Sequence, residues 1–238
     1  TAGNAIVTGH TYAIGNFPVR GKLYGYHYRK PFGPAAPPFV SGTVSDRFIG
    51  ADSTFVLSSP SFSPRAPGLY LLQSDTTSAS GIAVFAGKAP YPRLNTIQAL
   101  TGPLLYLTTA EEQSDLEKAG SDKSRFDKVV LGITRDTERA KSFMRSYYQR
   151  VEDANRYFTG YKEGWRTDMG MVYLIFGVPT EVSRTATTEI WFYKGTAVKF
   201  LFNRTGSIFA PANYFLQRND SYTQSWYSMV DLWRKARF

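Results

Sequence analysis

Residues 164 to 179 leave the backbone fewer options than any other stretch of this 238-residue chain. Thr167 can cap a helix, because its hydroxyl accepts a hydrogen bond from an orphan first-turn amide, and Asp168 beside it suits the positive end of the helix dipole. Met169, Val172, Tyr173 and Phe176 then fall at i, i+3, i+4 and i+7, one face of a 3.6-residue period. Gly177 can take the left-handed position after the last turn, and Pro179 forbids continuation. The spacing predicts a helix over 168–176 whose two ends are set locally. Trp165, just ahead of the cap, has the apolar area to plug a core. Gly164 and Gly170 read as backbone positions, one permitting an unusual turn and the other a close approach.

Before this helix two kinds of periodicity succeed one another. From Ala5 to about Thr108, short apolar runs such as Leu23 to Tyr28, Thr54 to Leu57, Leu69 to Leu72 and Ile82 to Phe85 are broken by Gly, Pro, Ser and Asp. Turn signals recur at roughly the 8–12-residue spacing of a β-sandwich. Pro31 to Pro38 cannot be a central strand, since proline donates no ladder bond, so that stretch reads as a loop, with Phe32, Pro34, Pro37 and Phe39 as a candidate contact surface.

Near Thr108 the period changes to that of helices. Thr109 with Glu112 is a capping-box pattern, Ser121 or Asp122 can cap a second helix, and Asp136 a long third one with Ala140, Phe143, Met144, Tyr147, Val151, Ala154 and Phe158 as its apolar stripe. Beyond Pro179, Ile190 to Tyr193, Val198 to Phe202 and Tyr214 to Leu216 read as antiparallel strands, and Trp226, Met229, Val230 and Trp233 mark a last amphipathic helix. The expected fold is therefore α+β. An N-terminal antiparallel β-sandwich, immunoglobulin-like, covers residues 1–108; linker helices and a small antiparallel sheet packed with helices cover 109–238.

The residues offer little for catalysis. With His10 and His27 as the only histidines and no cysteine, thiolate metal sites and disulfides are excluded, and no HxxH or HExxH spacing supports a metal; no metal and no cofactor are expected. There is no GxSxG elbow, P-loop or GxGxxG. Glu111 with Glu112 and Glu152 with Asp153 are adjacent on helices and point to different faces, whereas Glu163 and Asp168 flank Trp165 and could converge. An enzyme or binding module for glycan or peptidoglycan, with those two carboxylates and Trp165 as a stacking platform, is thus the competing class. The bland reading makes Asp168 a helix-start residue paired with Arg166 or another neighbouring cation.

Composition favours surfaces over clefts. Lys and Arg number 28 against 19 Asp and Glu, a net charge of +9 that suits anionic partners, an acidic protein face or an anionic membrane surface among them. The cations of Arg145 to Tyr157 lie away from the apolar stripe that holds the aromatics, so nucleic acid is not expected. Sixteen Tyr, 17 Phe and 4 Trp supply rigid amphipathic area for protein contacts. No run approaches the ~20 apolar residues of a membrane span, and no basic-plus-apolar leader follows Thr1. A cleaved signal, a lipidated cysteine upstream and a domain boundary all stay open there.

Gly164-Trp165-Arg166-Thr167-Asp168, with Tyr147 to Glu152, Asn155 to Phe158, Tyr161 to Glu163, Glu189 to Tyr193 and Trp226 to Arg237 in order around it, resembles the GWxTD-domain family of Bacteroidota envelope proteins. In that frame Gly164, Trp165, Thr167, Asp168, Gly170, Gly177, Pro179 and Trp191 are structural signature positions. The resemblance implies a bacterial periplasmic or outer-membrane location, with a lipid anchor possible through an upstream cysteine, and other envelope proteins as partners in a multi-subunit complex. Gly170-x-Val172, Gly177-x-Pro179 and Trp191-x-Tyr193 are also loosely similar to small lipoproteins of the β-barrel assembly machinery. Joined to the lack of catalytic groups, these features lead to the expectation of a non-enzymatic structural or accessory subunit.

Overall fold

The alternation of apolar and polar residues before residue 90 does what a half-buried sheet requires. In the computed structural model, which describes residues 5–15, 21–41 and 49–238, it produces seven strands. These are β1 (Ala5–Val7), β2 (Tyr12–Ala13), β3 (Leu23–Tyr28), β4 (Ser53–Leu57), β5 (Ser61–Phe62), β6 (Gly68–Gln73) and β7 (Ile82–Gly87). Thr1, where the N-terminal readings diverge, lies outside the described residues.

Five of these strands form one sheet in the order β1-β7-β6-β3-β4, and β2 pairs with β5 in a second. Phe62 of β5 packs edge-on to Tyr70 and lies parallel to Phe55, so the small sheet covers one face of the large one around Leu23, Leu72 and Ala86. Among the described residues pairing in these sheets is antiparallel with one exception. β1 runs parallel to β7, with Ala5 opposite Phe85, which corrects the purely antiparallel expectation. The chain leaves β1 for the second layer before returning, and so meets the last strand of the sheet in the same direction.

The rest is helix around a second sheet. Helices α1 (Ile97–Thr101), α2 (Ala110–Ala119), α3 (Lys123–Thr134) and α4 (Thr137–Phe158) lead to a 3-10 turn at Gly164–Arg166 and to α5 (Asp168–Phe176). Four antiparallel strands follow, β8 (Glu181–Arg184), β9 (Thr188–Tyr193), β10 (Val198–Arg204) and β11 (Tyr214–Leu216), in the order β11-β10-β9-β8; α6 (Thr223–Arg234) closes the chain. The fold is mixed α/β, with sheets of five, two and four strands and six α-helices among the described residues.

The helix starts are made by side chains. Thr109 and Glu112 form both halves of a capping box on α2, Asp122 caps α3 through the amides of Ser124 and Arg125, and Asp136 caps α4 through that of Arg139. α4 lays Ala140, Phe143, Tyr147, Val151 and Ala154 into the core. α5 is buried on every side rather than on one face, because α4, α6 and β11 all contact it; Met171, Leu174 and Ile175, outside its predicted stripe, are as buried as the rest. Trp191, Phe200 and Phe202 from the sheet and Trp226 and Trp233 from α6 complete this core, which also takes in Ala35 from the proline-rich loop. β8 shows no alternating pattern and is exposed throughout, as an edge strand can be.

Candidate functional site

The signature is a knot between the end of α4 and the start of α5. Gly164 lies so close to α4 that a Cβ there would stand 1.9 Å from the Ala154 carbonyl oxygen, and one on Gly170 would stand 1.8 Å from that of Gly164. Gly164 has no left-handed φ, so both glycines serve close approach, and the expected unusual turn at one of them is corrected. The approach lets short bonds form. The Gly164 amide donates to Thr159 Oγ1 at 3.0 Å, the Trp165 amide to Asn155 Oδ1 at 3.2 Å, and Asn155 Nδ2 to the Pro92 carbonyl at 3.0 Å. Thr159 in turn donates to the Asn155 carbonyl at 2.5 Å and meets the Tyr91 hydroxyl. Burial holds the Tyr91 hydroxyl well above the ordinary tyrosine pKa, against the opposing pull of Thr159, so it remains a neutral donor.

Thr167 closes the turn. Its hydroxyl donates to the Gly164 carbonyl at 2.7 Å and accepts the Gly170 amide at 3.0 Å. Loss of the hydroxyl in Thr167→Ala is expected to cost roughly 0.5–2 kcal/mol, and Thr167→Ser much less, in urea unfolding followed by circular dichroism. Equal stability of all three proteins would refute the cap.

Each side chain of the competing enzyme reading is already engaged. Trp165 is 2% exposed, with Tyr106 edge-on to it and the Arg166 guanidinium 4.4 Å above its ring. Arg166 pairs with Glu163 at 2.5 Å. Asp168 pairs not with Arg166 but with Arg218, at 2.7 and 3.3 Å, and also accepts the Leu216 amide of β11 at 2.8 Å. That pair, with Asp168 buried and Arg218 partly so, ties α5 to the end of the sheet, and removal of Arg218 would strand the buried carboxylate. Arg218 has no sequence signal, because its partner stands 50 residues earlier. The other paired carboxylates are similarly placed: Glu112 bonds Arg234 at 2.7 and 2.8 Å, and Glu152 bonds Arg93 and Arg156.

The same turn holds the proline-rich loop. Arg166 Nη1 donates to the Phe32 carbonyl at 3.2 Å, Lys162 Nζ to that of Gly33 at 2.9 Å, Tyr106 OH to that of Ala35 at 3.2 Å, and Arg218 Nη2 to that of Ala36 at 3.1 Å. The Ala35 amide donates back to the Arg166 carbonyl at 2.8 Å, and the Asn219 amide to the Pro38 carbonyl at 3.0 Å. Phe32 packs edge-on to Tyr161, and Phe39 packs on the main core beside Tyr227. Of the candidate contact surface, Phe32, Pro37 and Phe39 are thus partly buried against the protein's own residues. Of the four only Pro34 is exposed, because a proline-rich segment has carbonyls to satisfy and the signature turn supplies the donors. Burial pushes the Lys162 ammonium down to about 8, Asp168 opposes the shift, and Arg166 and Arg218 add to it.

The remaining signature residues support the core. Gly177 follows α5 with φ +78°, and the Arg150 guanidinium reaches the α5 carbonyls of Leu174 and Ile175 while lying over Trp233. Pro179 stands half-buried before β8. Trp191 is buried between Phe158 and Phe202, and its indole donates to Glu189 at 2.7 Å. His27 is buried and stacked on Tyr70, whereas His10 is exposed. No group of three or more His, Cys, Asp or Glu among the described residues could hold a metal, and no described helix is long and apolar enough to cross a membrane.

These features define a class: a mixed α/β protein in which a glycine-packed turn, rather than a cleft, gathers the distinctive residues. The chain belongs to the GWxTD-domain family, whose model, described as GWxTD domain, matches residues 68–235. The match begins at β6 and runs through α6, so it includes two strands of the N-terminal sheet. No curated protein and no solved structure matches the chain.

Proposed function

We propose that this protein is a non-enzymatic structural or accessory subunit that joins other proteins in a bacterial outer-membrane or periplasmic assembly. The observation that carries this reading is the use made of the signature. Gly164, Trp165, Thr167, Asp168 and Gly170 are spent on holding α4, α5, β11 and the proline-rich loop together, so the family's characteristic residues serve a rigid frame. Outside that frame the chain carries the means of association: a net charge of +9, and exposed aromatic side chains such as Tyr157, Tyr227 and Phe215. The envelope location rests on the resemblance that the signature carries.

We also read the N-terminal sheets as an immunoglobulin-like sandwich. The strand order β1-β7-β6-β3-β4 opposite β2-β5 supports it, since the chain crosses to the second layer at β2 and again at β5 and returns each time, as a two-layered sandwich requires. Such sandwiches commonly serve as adhesive modules, which suits the proposed role.

Gentle detergent extraction of native membranes, followed by size exclusion and mass spectrometry, tests the function. The protein should elute with partners across an interface of at least ~1,000 Å², the threshold of a specific contact. Recovery only as a free monomer would overturn the assembly role, and a monomer with hydrolase activity would favour an enzyme acting on glycan or peptide.

A further inference from the structure

The loop from Phe32 to Pro38 is bound as a foreign peptide would be. Five of its carbonyls and one amide are bonded by groups distant in sequence, from Tyr106, Lys162, Arg166, Arg218 and Asn219, while the Pro37 carbonyl accepts the Val40 amide in a local turn. None of these bonds reads a side chain of the loop. What they read is main chain, the mode by which grooves take extended peptides, with side-chain pockets adding specificity. The two flanking phenylalanines supply that part, Phe32 against Tyr161 and Phe39 beside Tyr227.

The donors match the chemistry of their occupant. Pro31, Pro34, Pro37 and Pro38 have no N–H, so the segment is rich in acceptors and poor in donors, and proline biases it toward an extended conformation at low entropic cost. The groove is correspondingly rich in donors. Three of its five are cations, and the Nε of Arg218 is buried with no partner among the described residues, so donor capacity is left over. Three cations against the carboxylates Glu163 and Asp168 leave the local charge positive, which suits a peptide that presents carbonyl oxygens in excess of N–H groups.

We propose that the signature turn, Tyr106 and Arg218–Asn219 form a peptide groove that accepts a proline-rich segment of a partner protein, with a turn at its C-terminal end and aromatic side chains seven residues apart, and that residues 32–39, which turn at Pro38–Phe39, are its resident occupant. The proposal rests on the interaction reading given above. A tethered occupant competes at an effective concentration on the order of millimolar, so a partner segment binds well only when the resident one is loosened.

The test uses the full chain and a fluorescein-labelled peptide carrying the sequence of residues 30–40, followed by fluorescence anisotropy. In Phe32→Ala/Phe39→Ala the resident loses its side-chain anchors while the groove's donors stay, so this variant is expected to bind the peptide at least tenfold more tightly than wild type. Adding Lys162→Gln should weaken that binding severalfold. A peptide with its prolines replaced by alanine should bind at least tenfold more weakly than the parent. A loosened variant with a native near-ultraviolet spectrum that binds neither peptide, or both equally, overturns the proposal. Should the double variant fail to fold, Phe39→Ala makes the same comparison, and wild type adds a decisive one. About 5 mM peptide, above the tethered concentration, must speed hydrogen exchange at the Ala35 amide, and an unchanged rate overturns the groove. Failure here with a partner complex still recovered from membranes removes the groove alone; recovery of only a free monomer removes the assembly reading whatever the peptide does.

Discussion

Gly164→Ala is expected to destabilise the C-terminal unit by at least ~4–5 kcal/mol, the upper end for a single substitution, and to leave little folded protein. The new Cβ would stand 1.9 Å from the Ala154 carbonyl oxygen and under 3 Å from two further backbone atoms of α4. Those atoms cannot swing aside as a flexible side chain would, so the turn must lift off the helix. Lifting it breaks the bonds from Gly164 to Thr159 and from Trp165 to Asn155, and it withdraws the Gly164 carbonyl from Thr167. Gly170→Ala should behave alike, with its Cβ 1.8 Å from the Gly164 oxygen. Gly132→Ala is the control. It sits in α3 with open space around the added atom, so it should be neutral or stabilising by up to about 1 kcal/mol. Urea unfolding of the three variants decides the matter: a Gly164→Ala protein within about 1 kcal/mol of wild type would refute the packing described for the turn.

Trp165→Ala is expected to cost about 3–5 kcal/mol, the range for truncating a core aromatic. The ring fills the space between Tyr106, Gly102 and the guanidinium of Arg166, and its removal leaves a cavity that the glycine-packed backbone is poorly placed to close. Trp165→Phe should cost less. The indole N–H has no protein acceptor among the described residues, so phenylalanine forfeits volume but no protein hydrogen bond. Calorimetry on both variants gives the comparison. Unchanged stability in Trp165→Ala together with loss of a small ligand would make Trp165 a stacking platform and restore the competing enzyme or glycan-binding class.

Helix starts were legible because each is encoded within one turn. Thr109 with Glu112, Asp136 and Thr167 all cap the helices their positions announce. The strands β9, β10 and β11 were legible through alternation, whereas β8 was not: its four residues are exposed and carry no period. β2 and β5, two residues each, are too short for any period to register. Among the site residues Thr167 and Gly177 announced their roles by position relative to the helix ends, since capping is local. Arg218 and Tyr106 announced nothing, because their work is done on partners 50 and 71 residues away.

By its residues alone, then, the chain determined where α2 to α5 begin, where α5 must stop, and that a capped helix would follow Trp165, since those outcomes depend on atoms a few residues apart. Tertiary structure decided the rest: that Asp168 answers to Arg218, that α5 is enclosed on every side, that β1 lies parallel to β7, and that a loop rich in proline and phenylalanine turns inward. An unpaired carbonyl or carboxylate states only that it needs a partner. Which of the chain's donors supplies it is settled by the folded backbone that brings them within 3 Å.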